Sequence, residues 1–162
     1  MLGAHEFAVG TLAEARPGTL VLPRTRYEST FLVGERADQP MAMFLDGDHV
    51  YGSFPSADAE SWNGLLIPGV ELMVDPASLF DPDEGRAPFG SIVRGGNYLA
   101  VVAKSSQRYG FQEAIRISLH HDLPAMASAL KVGFLHWQLV LGGEQNRRVL
   151  FELDLRSTDA DR

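Results

Sequence analysis

The chain has 162 residues and a mass of 17.7 kDa, with 45% hydrophobic and 22% charged residues, a formal net charge of −7 and a pI near 5.1. Such a chain buries about 70% of the surface its unfolded form exposes, which fits one domain over 1–162 and excludes a largely disordered polymer. The lack of cysteine removes disulfides, thiolate nucleophiles and cysteine-ligated metals, and an acidic surface without a Lys/Arg cluster excludes nucleic acid as an expected partner.

No apolar run approaches the roughly 20 residues needed to span a bilayer. The N-terminus, Met1 to Phe7, lacks a basic region followed by an apolar stretch. A cytoplasmic protein with no membrane partner is therefore expected.

Residues 1–18 are ambiguous, because Thr11-Leu12-Ala13-Glu14 has the pattern of a capping box while Pro17 and Gly18 stop any helix within two turns. A short strand is expected over 19–22. Residues 27–33 alternate, with Phe31 and Val33 expected to point inward. Residues 41–45 and 49–54 flank Asp46-Gly47-Asp48, the signature of a hairpin pairing Leu45 with Val50 and Phe44 with Tyr51. A loop over 55–64 leaves room for one helical turn before Trp62. Extended structure resumes at 65–67, turns at Pro68-Gly69, and continues with Val70, Leu72 and Val74 on one face.

Residues 75–97 read as a long loop broken by prolines and glycines, pinned by Phe80 and Phe89. Strands follow at 98–104 and 113–119. Asp122 then caps a short helix near 123–131, in which Leu123, Met126, Ala127 and Leu130 recur at helical spacing.

The last element is the most explicit. Leu135, Trp137, Leu139 and Leu141 alternate before a Gly-rich, charged turn, and Val149, Phe151, Leu153 and Leu155 alternate after it. Residues paired across a hairpin share a face, so the common parity pairs Leu141 with Val149, Leu139 with Phe151, Trp137 with Leu153 and Leu135 with Leu155 around a three-residue loop at 144–146. Burying a large apolar side chain contributes roughly 1.5 to 3 kcal/mol, so this face sets the register. The opposite face pairs Val140 with Leu150, Gln138 with Glu152 and His136 with Asp154. Residues 156–162 are expected to fray. The whole predicts a mainly β fold, an antiparallel barrel or sandwich of about eight to ten strands with one short helix.

No motif fixes a reaction. His136 facing Asp154 is a candidate proton carrier beside a carboxylate, and so is the His120-His121-Asp122 run, although neighbouring residues of a strand face opposite sides. Glu113 shares parity with Ile115 and Ile117, so an inward carboxyl there would gain a raised pKa. The acidic residues Asp75, Asp81, Asp83 and Glu84 lack the spacing of an EF-hand. Tyr51 and Trp62 are candidates to line a ligand pocket.

Met73, Phe134, Val140 and Leu150 fall on outward parity and form a candidate interface. The expected function is a non-enzymatic binding or protein-interaction domain that self-associates. The alternatives are a small barrel enzyme doing acid–base chemistry through Glu113, His120, His121, His136 or Asp154, and a carrier of a small apolar ligand. Neither a cofactor nor a metal is expected.

Overall fold

The computed structural model describes residues 1–25, 28–83, 86–95, 98–105, 114–118 and 131–157. Its strands in chain order are β1 (Ala8–Thr11), β2 (Thr19–Pro23), β3 (Phe31–Arg36), β4 (Gln39–Phe44), β5 (Gly52–Pro55), β6 (Asn63–Ile67), β7 (Glu71–Val74), β8 (Leu79–Phe80), β9 (Ile92–Gly95), β10 (Tyr98–Ser105), β11 (Ala114–Ser118), β12 (Val132–Phe134), β13 (His136–Leu141) and β14 (Arg148–Asp154). Helical structure among the described residues is confined to single 3-10 turns at Leu12–Glu14, Ser56–Ala59, Pro76–Ser78 and Leu155–Ser157. None of these is long and apolar enough to cross a membrane. The helix expected near 123–131 lies, but for its last residue, outside the described residues.

The fold is mainly β, with a closed barrel at its centre. Strand β3 pairs with β4, β4 with β5, β5 with β10 in parallel, and β10 with β11, which returns to β3 at Ser118 opposite Glu35. Strands β2, β6 and β1 extend the sheet from β3, and β9, β12 and β8 extend it from β10. A separate sheet has the order β14-β13-β7. The strand number exceeds the eight to ten expected because β1 lies in the ambiguous residues 1–18, β8 and β9 lie within the stretch 75–97 that reads as loop, and β12 is split from the strand that follows it.

The barrel is filled by Leu32, Met41, Met43, Val101, Ala103 and Ile117, all in one buried cluster. On its outer side Val21, Phe31, Val33 and Ala42 form a second cluster with Leu12, Ala15 and Ala59 from two of the 3-10 turns. Successive side chains of a strand point to opposite faces, so β3 sends Leu32 into the barrel and Phe31 and Val33 outward. Phe31 and Val33 are buried as expected, beneath the turns outside the ring. A strand covered on both faces reads as a continuous apolar run, and 31–33 is one.

Closure depends on Gly34. A Cβ there would stand 2.3 Å from Ile117 Cγ2 and 2.5 Å from the Ser118 carbonyl oxygen. Only the missing side chain lets β11 lie against β3 at that point.

The β3–β4 hairpin turns on Ala37 (φ 48°) and Asp38 (φ 62°), the left-handed pair of a type I′ turn. Neither is glycine, and the turn leaves no signature in the sequence. The β4–β5 pair has Met43 opposite Ser53 and Ala42 opposite Phe54, one residue away from the expected register. Tyr51 takes a positive φ of 66° and interrupts the alternation on which that expectation rested. At the N-terminus strand and turn both occur, with Glu14 Oε2 accepting the Thr11 N–H at 2.7 Å.

The terminal hairpin keeps the expected register over Leu139–Phe151, Trp137–Leu153, Gln138–Glu152 and His136–Asp154. Nearer the turn it shifts at a bulge, so Val140 meets Val149 and Leu141 meets Arg148. The expected Leu141–Val149 and Val140–Leu150 pairs and the three-residue loop fail as a result: Val149 is 53% exposed, and Leu150 has no partner opposite. At its base the chain changes sheets at Leu135, whose carbonyl still accepts the Leu155 N–H at 2.9 Å. The stretch 75–97 is braced as well as pinned. Buried Trp137 donates its indole N–H to the Gly90 carbonyl at 2.7 Å, and Gly90 sits at φ +85° against the Tyr51 ring. Phe89 lies under the Lys104 ammonium at 5.4 Å, and Phe80 packs on Gly133.

Gly34→Ala is expected to lower stability by about 1–3 kcal/mol or more through overpacking at the β3–β11 contact. Gly143→Ala, where a Cβ meets nothing within 4 Å, is expected to stay within about 0.5 kcal/mol of wild type. Urea unfolding of the two variants checks this, and equal midpoints would refute the role of Gly34.

Candidate functional site: an aromatic pocket outside the barrel

The register of β2, β3 and β4 places Val21 beside Phe31 and Phe31 beside Phe44 on the outer face. Phe54 of β5 joins them, and the residue before β6, Trp62, closes over the group. Ring centroids lie 4.8 Å apart for Phe31–Phe44, 5.1 Å for Phe31–Trp62, 5.5 Å for Phe44–Phe54 and 5.8 Å for Phe54–Trp62. All four pairs are inclined or edge-on, the arrangement that aromatic quadrupoles favour. Trp62 is held by its backbone: its N–H donates to the Ala59 carbonyl at 3.1 Å, and its carbonyl accepts the Leu12 N–H at 2.7 Å.

Against these rings opens a pocket of about 490 Å³, with Phe31, Phe44 and Trp62 as apolar wall and Glu28, Asp48 and His49 on its polar side. The loop that carries Asp48 and His49 is fixed by Asp46, whose Oδ1 accepts the Thr30 N–H at 2.8 Å. The His49 ring lies 5.6 Å from that of Phe44. At the rim Arg24 donates to Asn63 Oδ1 at 2.9 Å. Trp62 is 44% exposed, whereas the other tryptophan, Trp137, is 1% exposed.

Trp62 lines this pocket. Tyr51 does not line this one. Its ring packs on Gly90 and lies 5.9 Å from Lys104 Nζ, and burial pushes its hydroxyl pKa up.

His136 belongs to a different cluster. The register sets it opposite Asp154, yet its imidazole reaches two other carboxylates: Nε2 lies 2.7 Å from Glu152 Oε1 and Nδ1 lies 3.1 Å from Asp75 Oδ2. Asp154 pairs with Arg156, with Nη2 to Oδ2 at 2.8 Å and Nε to Oδ1 at 2.9 Å. Arg156 Nη2 also approaches His136 Nδ1 to 3.0 Å. Asp75 Oδ2 also accepts from Arg156 Nη1 at 3.1 Å.

The hydrogen bond to Glu152, then that to Asp75, raises the His136 pKa above its usual value. The Arg156 hydrogen bond pulls Asp154 down to about 2. Asp75 is lowered by the Ala77 N–H and then by His136, and Glu152 by Gln138 and then by His136.

Ser78, His136 and Asp75 suggest a catalytic triad only in composition. The Ser78 hydroxyl is buried, donates to the Asp75 carbonyl at 2.7 Å and accepts the His136 backbone N–H at 3.0 Å, while both imidazole nitrogens face carboxylates. The cluster is an ion-pair network that ties β7, β13 and β14 to the last 3-10 turn. The face on which a partner was expected thus bonds largely to itself.

The four candidate interface residues separate. Phe134 and Val140 are buried, at 8% and 0% exposure, and Leu150 is half-buried against the core. Parity along the hairpin does not extend past the sheet change at Leu135, so Phe134 joins the barrel-side core. Val140, on the middle strand of its sheet, is covered. Met73 is half-buried on β7. Glu113, His120 and His121 lie outside the described residues.

Residues 9–161 match the family model described as "Uncharacterised protein y4lG". The chain is also 43% identical, over 152 residues, to "Uncharacterized protein y4lG" of Sinorhizobium fredii (strain NBRC 101917 / NGR234), covering 94% of this chain and 92% of that one. The chain belongs to the y4lG family. No solved structure matches it. Neither family description names a ligand or a reaction, so the reading of the site rests on its geometry.

Sequence reasoning missed Phe31, Phe44, Phe54, Asp48 and His49 as members of one site. The aromatic residues are visible in the sequence, but only the β3–β4 and β4–β5 registers bring them to one face.

The network predicts a pH dependence of stability. A raised His136 pKa contributes stability that is fully present below about pH 6.5 and lost as pH rises through the folded value. The lowered carboxylates contribute stability that is present above their unfolded values and lost in acid. His136→Gln is therefore expected to cost about 2–4 °C more in Tm at pH 5.5 than at pH 9. Thermal melts at the two pH values check this, and an equal cost at both would contradict it.

Proposed function

We propose that the protein is a non-enzymatic binding domain that holds a small organic molecule in the pocket under Trp62. The observation that carries this reading is an exposed tryptophan, pinned by two backbone hydrogen bonds, over a concave aromatic surface with a polar rim. The volume of about 490 Å³ falls in the range typical of small-molecule sites, which combine an apolar lining with a few polar groups that set orientation. A concave site of this size fits a compact ligand better than a flat protein partner. Among the described histidines binding without turnover is favoured, because His136 has both nitrogens engaged and His49 lies against Phe44. The reading requires no second copy of the chain, since Phe134 and Val140 are core residues.

Native mass spectrometry of protein purified from its own source tests it. The wild type is expected to carry a small-molecule adduct that is released on denaturation, and Trp62→Ala is expected to lose it while keeping the fold. The same adduct on both proteins would contradict the assignment.

A further inference from the structure

The chemistry of the pocket also points to a class of ligand. We propose, resting on the pocket reading above, that the ligand is a small organic ammonium cation. The Phe44–Trp62 rings lie 5.9 Å apart at 75° and the Phe31–Trp62 rings 5.1 Å apart at 56°. Inclined rings present π-faces as well as edges to the space beside them, and those faces attract a cation. Among the described residues the carboxylates lining the pocket are Glu28 and Asp48, with no Lys or Arg beside them in the lining.

A neighbouring cation among the described residues, Arg24, directs its guanidinium to Asn63, and its backbone N–H donates to Glu28 Oε2 at 3.2 Å. A net charge of −7 adds long-range attraction for a cation and repulsion for an anion. Among the described lining residues a phosphate or carboxylate ligand would meet two acidic side chains, Glu28 and Asp48. A sugar would compete for the amide oxygen of Asn63, which Arg24 already occupies. The aromatic wall, by contrast, suits the apolar and weakly hydrated surface of an alkylated ammonium group.

Titration calorimetry with choline and with its neutral carbon isostere, 3,3-dimethylbutan-1-ol, tests the proposal. Choline is expected to bind at least about five-fold more tightly than the alcohol, the order of a partly desolvated cation–π contact. Asp48→Asn is expected to weaken choline about three-fold and leave the alcohol unchanged, a Coulombic effect at a solvated rim. Trp62→Ala is expected to weaken both.

Equal affinities for the two compounds, both reduced by Trp62→Ala, would overturn the cation assignment and leave the pocket reading standing. Binding of both that is indifferent to Trp62→Ala would overturn the pocket reading itself. Co-sedimentation with phosphatidylcholine vesicles without binding of free choline would place the ammonium group on a lipid and overturn the proposal of a small solute.

Discussion

The contact between β3 and β11 at Gly34 is the constraint on which the rest of the structure depends. Ile117 and Ser118 occupy the space where a side chain would stand. Because β11 approaches this closely, the sheet closes and Leu32 enters an interior shared with Met41, Met43, Val101, Ala103 and Ile117. With that face committed, the alternate residues of β3 need their own cover. The 3-10 turns at Leu12–Glu14 and Ser56–Ala59 supply it. The pocket lies where that cover ends, with Phe31 on its floor and Trp62 on its wall. Barrel closure and the aromatic pocket are two faces of one strand.

The terminal hairpin has a different role. Trp137 and Leu139 bury one face of β13, and the Trp137 indole holds Gly90 and through it the stretch 75–97. Its other face carries the His136 network, in which the imidazole and Arg156 are shared among three carboxylates. Exposed ion pairs contribute little each, and what such a network adds is a fixed geometry between β7, β14 and the last turn. The raised proton affinity of His136 makes the network's contribution to stability pH-dependent.

Much of the fold is legible in the sequence where burial is one-sided. Parity alone places Trp137 opposite Leu153 and His136 opposite Asp154, because a slip would turn a whole apolar face to water. It fails where a bulge or a left-handed residue breaks the period of two, as at Leu150, Tyr51 and the Ala37-Asp38 turn. It also fails at Leu135, where one apparent strand serves two sheets. The site shows the same division. Trp62 stands out in a polar loop, but the convergence of Phe31, Phe44 and Phe54 beside it depends on two hairpin registers that no local pattern announces. Phe31 also reads as core, because an apolar residue buried outside a barrel has the same signature as one inside it.

The central claim is that the outer face of β3 carries the ligand site and that the hairpin core does not. The chain has two tryptophans, one in each place, so fluorine NMR of protein labelled with 5-fluorotryptophan resolves them directly, with Trp62→Phe assigning the signals. On titration with benzyltrimethylammonium the Trp62 resonance is expected to shift and saturate while that of Trp137 stays in place. A saturating shift of Trp137 with Trp62 unmoved would contradict the account.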